Sequence, residues 1–223
     1  MRIAGLAAGA IAAVLLASPL SAQLSAPEQA AVQAVDAGFE RDVNALEQIT
    51  RVNSGTHNRE GVKAVADILM PAFEELGFTV QWIDQSAAGR AGHLFARRLG
   101  DSDTKRILMI GHLDTVFEPS SSFTGFVRDG DRAVGPGILD DKGGVIVILS
   151  ALRAMQAAGT LEGANIVVAL TGDEEDAGDP LEEARRDLIE AGQWADVALG
   201  FEGLSTLDGK DAGVIARRSS SNW

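Results

Sequence analysis

Residues 135–144 read Gly135-Pro136-Gly137-Ile138-Leu139-Asp140-Asp141-Lys142-Gly143-Gly144. Four glycines and one proline surround two adjacent aspartates, and a strongly helical run follows. Glycine adopts backbone torsions and allows close approaches that a side chain forbids. The stretch therefore predicts a tight turn that aims the carboxylate of Asp140 in a fixed direction. The question for function is which groups this carboxylate meets.

The composition is that of a globular protein with a strong negative charge. The 223 residues are 46% hydrophobic and 23% charged, which is enough for one good core. The formal net charge of -13 argues against a nucleic acid or an anionic membrane as partner. Cysteine is absent from the sequence, so any metal must be bound by nitrogen and oxygen ligands.

The first residues have the pattern of a secretory signal peptide. Arg2 supplies a positive charge, Ile3–Ala17 form an apolar segment, and cleavage is expected after Ala22. An uncleaved membrane anchor is the weaker alternative, because a spanning helix needs about 20 apolar residues. We assign residues 1–22 to the signal peptide. Secretion without cysteines suits a bacterial periplasm, and the mature protein is expected to have no membrane partner.

Apolar periodicity predicts helices and strands in alternation. Helices are expected at Pro27–Ile49, Val62–Leu76, Val145–Met155 and Pro180–Ala191. Strands are expected at Phe78–Trp82, His93–Arg97, Arg106–Gly111, Ala164–Thr171 and Asp196–Phe201. Each of the last three strands holds a continuous apolar run, as buried strands do. Pro71 is expected to kink or split the second helix. The pattern predicts an α/β fold with a mixed, largely parallel sheet and helices on both faces.

Polar side chains follow the apolar strands at their carboxyl ends, where ligands bind in sheets of this kind. These candidates are His112, Asp114, Glu174, Glu175 and Glu202. With Asp140 they come from four separate segments. Carboxylates packed this closely repel one another unless a cation neutralises them. Two Zn²⁺ would balance Asp140, Glu175 and Glu202 together with one hydroxide, and zinc accepts imidazole and carboxylate ligands.

Four motifs occur in order along the chain. They are Gly-His-Leu-Asp-Thr-Val-Phe at 111–117, Gly-Pro-Gly-Ile-Leu-Asp-Asp-Lys-Gly-Gly at 135–144, Asp-Glu-Glu at 173–175 and Phe-Glu at 201–202. Together they resemble the two-zinc exopeptidases and amidohydrolases, which include glutamate carboxypeptidase, aminoacylase, acetylornithine deacetylase and succinyl-diaminopimelate desuccinylase. The resemblance covers most of the mature chain. It is strongest to the glutamate carboxypeptidase branch, also at residues 53–56 and 217–223.

The resemblance implies a cofactor of two Zn²⁺, with Co²⁺ or Mn²⁺ as possible substitutes. His112 and Glu202 would bind the same metal ion. Asp140 would bridge the two ions, and Glu175 would bind the second. The family also carries a cis peptide after the bridging aspartate, which here is the bond Asp140-Asp141.

The resemblance further implies a reaction. Glu174 would be the general base, and Asp114 would hold the ring of His112. A metal-bridged hydroxide would cleave an amide bond of a small peptide or an N-acyl amino acid. A non-catalytic metal- or peptide-binding protein is the alternative, since carboxylates also bind Ca²⁺ or Mg²⁺. His112 and Glu174 disfavour that alternative.

The chain departs from the family pattern at its C-terminal end. In the family, the second metal's histidine comes from beyond an inserted dimerisation domain. We therefore expect a C-terminally truncated chain, with the catalytic domain at 23–215 and the start of a missing dimerisation domain at 216–223. A natural ragged end is the alternative. The full-length protein would be a homodimer, whereas this chain would hold the first metal better than the second and be poorly active or inactive.

Several other polar residues are expected to have structural rather than functional roles. His57 and His93 are expected to be structural, and Asp141 could cap the following helix. Lys142 could pair with a neighbouring carboxylate, and residues 208–211 are expected to form a surface turn. Other enzyme classes are disfavoured, because the chain lacks a Gly-x-Ser-x-Gly motif.

Overall fold

The computed structural model describes residues 24–100, 103–203 and 205–213. The helices are α1 (Ala26–Thr50), α2 (Arg59–Glu75), α3 (Gly143–Ala157) and α4 (Leu181–Trp194). The strands are β1 (Thr79–Asp84), β2 (Gly92–Arg98), β3 (Arg106–His112), β4 (Val127–Asp129), β5 (Arg132–Val134), β6 (Asn165–Thr171), β7 (Val197–Gly200), β8 (Ser205–Leu207) and β9 (Lys210–Ala212). The expected signal peptide and the expected start of a dimerisation domain, at 216–223, lie outside the described residues. In the described part, no helix combines the length and the apolar character needed to cross a membrane.

Five strands form the central sheet in the order β1-β2-β6-β3-β7. Strands β6, β3 and β7 run parallel, whereas β1 pairs antiparallel with β2 and β2 pairs antiparallel with β6. The predicted mixed α/β sheet is confirmed, and the parallel pairs join the three strands whose sequences are continuously apolar. Two short hairpins, β4–β5 and β8–β9, stand apart from this sheet. The expected turn at 208–211 is confined to Asp208-Gly209, because Lys210 and Asp211 already belong to β9.

Helices cover both faces of the sheet. Successive residues of a strand point to opposite faces. In β6, Ile166, Val168 and Leu170 therefore belong to the larger core, which α1, α2 and α3 complete. Val167 and Ala169 point the other way, into a smaller core that includes Ala191 of α4. All seven residues of β6 are buried, which explains the unbroken apolar run at residues 166–170.

The two N-terminal helices follow the predicted periodicity, with two differences. The first half of the apolar stripe on α1 is exposed, since Val32 and Phe39 retain 49% and 51% of their accessible surface. Helix α2 runs unbroken through Pro71, so of the two predicted outcomes, a kink or a split, the split does not occur. Proline removes one helical hydrogen bond, but Leu69 and Phe73 on either side of Pro71 are fully buried. Tertiary packing of that face holds the helix together.

The prediction of a third buried strand is wrong. Strand β7 pairs with β3 at the edge of the described sheet. Its residues Val197 and Leu199 are 45% and 43% exposed. A run of apolar residues indicates a strand, but it does not tell a central strand from an edge strand, because that difference depends on neighbours distant in the sequence.

A buried carboxylate, Asp42, links α1 to α3. Arg153 donates to its Oδ1 at 2.8 Å, and Arg41 donates to the same oxygen at 3.0 Å. Burial disfavours the charged form. The hydrogen bonds from Arg41 and Ser150 and the charges of the two arginines outweigh burial and lower the pKa of Asp42 below its ordinary value of 3.8.

We expect Asp42→Asn to lower the free energy of unfolding by about 1–2 kcal/mol at pH 7. Because the folded-state pKa is lowered, the stabilisation by the carboxylate is present above pH 3.8 and is lost as the pH falls through the folded-state pKa. Urea denaturation at pH 7 and at pH 3 measures the difference from wild type at each pH. Asp36→Asn, at an exposed position of the same helix, is the control. A difference that does not shrink at low pH would contradict this account of Asp42.

Candidate metal centre

The parallel strands bring three chain segments to one edge of the sheet. His112 is the last residue of β3 and lies beside Thr171, the last residue of β6. Strand β7 ends next to β3 on its other side, at Gly200. The residues that follow β6 and β7 therefore start from the same edge as His112. This register places the segments that carry Glu174 and Glu202 around the imidazole.

The glycine-rich stretch supplies the fourth segment. Gly137 has a φ of +76°, and a Cβ there would lie 2.5 Å from the side-chain methyl group of Thr115, so only glycine fits both the torsion and the space. An irregular turn at Ile138–Lys142 follows, and the peptide bond Asp140-Asp141 is cis, as predicted. This turn carries Asp140 to the end of β3.

Three side chains converge closely enough to share one metal ion. One ligand atom each from His112, Asp140 and Glu202 lies within 4.8 Å of the others. Nε2 of His112 is 2.8 Å from Oδ1 of Asp140 and 3.8 Å from Oε1 of Glu202. The imidazole is buried, whereas the two carboxylates are more than half exposed. One imidazole nitrogen and two carboxylates form a donor set that zinc accepts, so the residues present fit a metal ion.

The acidic surroundings favour positive charge at this position. Burial by itself would lower the pKa of His112. The hydrogen bond with Asp114, together with the negative charges of Asp114, Asp141 and Glu202, outweighs burial and raises the pKa to about 10. The same field that stabilises an imidazolium attracts a divalent cation.

Asp114 is fully buried and ties the His112 strand to the Glu174–Glu175 segment. Its Oδ1 accepts the backbone N–H of Glu174 at 3.1 Å, and its Oδ2 accepts that of Glu175 at 3.2 Å. The hydroxyl of Thr56 donates to Oδ2 at 2.7 Å. Nδ1 of His112 lies 3.4 Å from Oδ1 and 3.1 Å from the Asp114 carbonyl oxygen. Burial opposes ionisation of Asp114, but these donors lower its pKa.

We expect Asp114→Asn to lower the free energy of unfolding by about 1–3 kcal/mol. An ionised carboxylate only accepts hydrogen bonds, whereas an amide turns one acceptor into a donor. In either orientation the new NH₂ group faces a backbone N–H, that of Glu174 or that of Glu175. Urea denaturation compares this variant with Thr56→Val, which removes one donor and should cost less. An Asp114→Asn protein as stable as wild type would contradict the role of Asp114 as acceptor.

The other two predicted acids lie beside the three-residue cluster. Glu174 lines a cavity of about 280 Å³ together with His112, Glu202 and Arg185. Glu175 is not part of the three-residue group. Burial raises the pKa of Glu175, and the negative charge of Asp140 adds to the effect. The geometry thus collects all the predicted residues at one end of the sheet.

Two neighbours of Asp140 have roles other than the expected ones. Asp141 does not cap α3. Instead, its Oδ2 accepts the backbone N–H of His112 at 3.2 Å, while its buried Oδ1 has no hydrogen-bond partner among the described residues. Burial raises the pKa of Asp141 to about 8. Lys142 is buried and donates to the carbonyl oxygen of Val52 at 2.9 Å rather than to a carboxylate, and burial lowers its pKa to about 8.

His93 is structural, as expected. Its Nδ1 accepts the backbone N–H of Gly172 at 3.2 Å, and its Nε2 lies 3.0 Å from the carbonyl oxygen of Ala184. These contacts specify the neutral ring with its proton on Nε2. His57 is exposed and lies 3.2 Å from Asp176.

Three residues that hold the segment of the candidate acids in place were not predicted from the sequence. Thr56, Arg90 and Arg185 all bind the segment around Glu174 or its anchor Asp114. Thr56 belongs to a segment singled out for its resemblance, which was the only available signal for it. Isolated arginines carry no pattern that marks such a contact.

Comparison with known proteins identifies the family. Residues 108–211 match the description "Peptidase family M20/M25/M40", and that segment contains every candidate residue named above. This segment therefore resembles a domain of that peptidase family. The expected family resemblance is therefore confirmed.

Curated relatives agree with this M20 assignment. Carboxypeptidase G2 of Pseudomonas sp. (strain RS-16) is 34% identical over 170 residues, which cover 75% of this chain and 40% of that protein. The N-fatty-acyl-amino acid synthase/hydrolase PM20D1 of Xenopus tropicalis is 29% identical over 165 residues, which cover 70% of this chain and 31% of that protein. The chain thus spans less than half the length of these relatives.

Solved structures share the fold of this chain. The dipeptidase Dug1p of Saccharomyces cerevisiae superposes with a TM-score of 0.68 at 18% identity, over 79% of this chain and 41% of that one. Human carnosine dipeptidase 1 gives the same TM-score, identity and coverage. At this identity the likeness establishes the fold alone, and it agrees with the predicted α/β architecture.

Proposed function

We propose that this protein is a metal-dependent peptidase that hydrolyses an amide bond of a small peptide or an N-acyl amino acid. The convergence of His112, Asp140 and Glu202 within 4.8 Å, with Glu174 lining the cavity beside them, carries the proposal. The names of the relatives point the same way, since they are a carboxypeptidase, an N-fatty-acyl-amino acid synthase/hydrolase and two dipeptidases.

The proposed metal is zinc. His112, Asp140 and Glu202 would hold one ion, and Asp140 with Glu175 would contribute to a second. A bound zinc ion lowers the pKa of water towards 7 and polarises a carbonyl group. Co²⁺ and Mn²⁺ are proposed as substitutes, because they accept the same nitrogen and oxygen donors.

The chain's own residues would supply proton transfer and alignment. Glu174 would accept a proton from the attacking water and deliver it to the nitrogen of the leaving amine. The backbone on either side of this carboxylate is fixed, because Asp114 accepts the N–H groups of both Glu174 and Glu175. Asp114 also fixes the imidazole of His112 through Nδ1, so the ring presents Nε2 towards Asp140 and Glu202.

An assay with the purified full-length protein tests the proposal, because residues 1–223 alone are expected to be poorly active or inactive. Dipeptides and N-acyl amino acids are offered as substrates to protein that is untreated, stripped with a chelator, or stripped and reloaded with Zn²⁺. We expect hydrolysis to disappear with the chelator and to return with zinc. Tight binding of metal or peptide without any turnover would contradict the proposal and favour a binding protein.

Secretion to a periplasm and dimerisation of the full-length protein remain predictions. N-terminal sequencing of the mature protein would test the cleavage of the signal peptide, and light scattering would test the dimer.

A further inference from the structure

Arg90 holds the far end of the segment that carries Glu174 and Glu175. Its Nε donates to the carbonyl oxygen of Asp176 at 2.7 Å. Its Nη2 donates to the carboxylate of Asp176 at 2.7 Å and to the carbonyl oxygen of Ala177 at 3.0 Å. The side chain is only 13% exposed. One guanidinium thus binds three oxygens directly after the candidate catalytic acids.

Arg185, from α4, holds the same segment on its other side. Its Nη1 donates to the carboxylate of Asp173, and its Nη2 donates to the carbonyl oxygen of Asp173 at 3.0 Å. Asp173 is fully buried, and its second carboxylate oxygen accepts the N–H of Gly178 at 2.8 Å. The positive charge of Arg185 is therefore matched by Asp173 at the wall of the cavity that Glu174 also lines.

Between the two arginines the segment has no regular secondary structure, because β6 ends at Thr171 and α4 begins at Leu181. Segments of this kind open easily unless other bonds hold them. Here the backbone is bound at Asp173, Asp176 and Ala177 by arginines, and at Glu174 and Glu175 by Asp114. Guanidinium suits this task because it carries five donors in a rigid fork and stays charged.

We propose that Arg90 and Arg185 are positioning residues that fix the backbone of Glu174 and Glu175 for the reaction. The inference rests on the proposed function for its catalytic meaning. Neither arginine acts on the substrate: each acts through the segment it binds. A small displacement of a reacting group costs on the order of 10²-fold in rate. The hydrogen bonds that the two arginines make to this segment therefore determine how well Glu174 is aligned.

Amide hydrogen exchange on the metal-free protein tests whether the arginines hold this segment, and it does not rely on activity. The variants are Arg90→Lys and Arg185→Lys, which keep the positive charge but lose the planar set of guanidinium N–H donors. Arg59→Lys is the matched control, because Arg59 donates to the carbonyl of Gly89, beside Arg90, and lies outside the segment. We expect the amides of Glu174 and Glu175 to exchange about tenfold faster in the two variants. The control and the amides of β6 should exchange as in wild type. Unchanged exchange at Glu174 and Glu175 would overturn the proposal.

Steady-state kinetics of the same variants, at a temperature well below their melting points, measure the effect on catalysis. We expect kcat to fall about 10- to 100-fold while KM changes little, because both guanidinium groups are already bound to residues of the segment 173–177. Guanidinium ion added to Arg90→Ala should restore part of the lost rate. A lower melting temperature with unchanged kcat would mean that the arginines are only structural, and would overturn the proposal. If wild-type protein has no activity, the proposed function fails, whereas the exchange result still decides whether the arginines grip the segment.

Discussion

Glu174→Gln is expected to lower kcat by a factor on the order of 10²–10⁴, with metal content and unfolding free energy unchanged. Glutamine has nearly the same size and can remain at the wall of the cavity that Glu174 shares with His112 and Glu202. It cannot accept a proton from water or return one to the leaving amine. The backbone bond from Glu174 to Asp114 is unaffected by the side chain, so the variant should fold normally. Steady-state kinetics with metal analysis of the same sample measures both quantities.

The neighbouring acid provides the contrast. Glu175→Gln should lower metal content as well as rate, because Glu175 is proposed to hold the second ion. Glu182→Gln, at an exposed position in the first turn of α4, should change neither quantity. Full activity of Glu174→Gln would remove Glu174 from the role of base. Equal loss of metal in both adjacent variants would mean that Glu174 is a ligand rather than a base.

The position of the candidate site was predictable because its geometry follows from parallel strands. Apolar runs that end before His112, before the Glu174–Glu175 segment and before Glu202 predict parallel strands whose carboxyl ends meet. The register of β3 and β6 places His112 beside Thr171, which is the geometry that this reasoning requires. The glycine-rich stretch likewise predicted a sharp turn at Asp140, because few other residues tolerate such a backbone.

What the sequence could not predict are contacts between residues far apart in the chain. Arg90 binds Asp176 across 86 positions, and the Lys142 amine binds the carbonyl of Val52 across 90. Neither contact leaves a local pattern, since a carbonyl acceptor is the same for every residue type. The exposure of β7 was missed for a related reason, because an edge strand and a central strand can share one apolar sequence.

Gly144→Ala is expected to lower the unfolding free energy by about 3 kcal/mol and to weaken metal binding. A Cβ at Gly144 would lie 1.8 Å from the carbonyl oxygen of Phe201 and 2.0 Å from Oδ1 of Asp141. The first contact is with backbone, which cannot swing away. Phe201 is held by its N–H bond to the carbonyl of Ile110 at 2.9 Å, and Glu202 follows it directly. A shift of Phe201 that admits the methyl group therefore displaces Glu202 and changes its distance from Asp140.

Alanine at Gly192 should instead raise the free energy of unfolding. Gly192 lies in α4, and a Cβ there would meet nothing within 4 Å. Alanine is more favourable than glycine in a helix by about 1 kcal/mol, so Gly192→Ala should stabilise the protein slightly and leave metal binding unchanged. Because both glycines are helical, intrinsic propensity predicts a gain at each, and only the contact with Phe201 predicts a loss at Gly144. Urea denaturation and zinc titration of the two variants decide between these accounts. A stabilised Gly144→Ala protein would show that the start of α3 does not set the distance between Asp140 and Glu202.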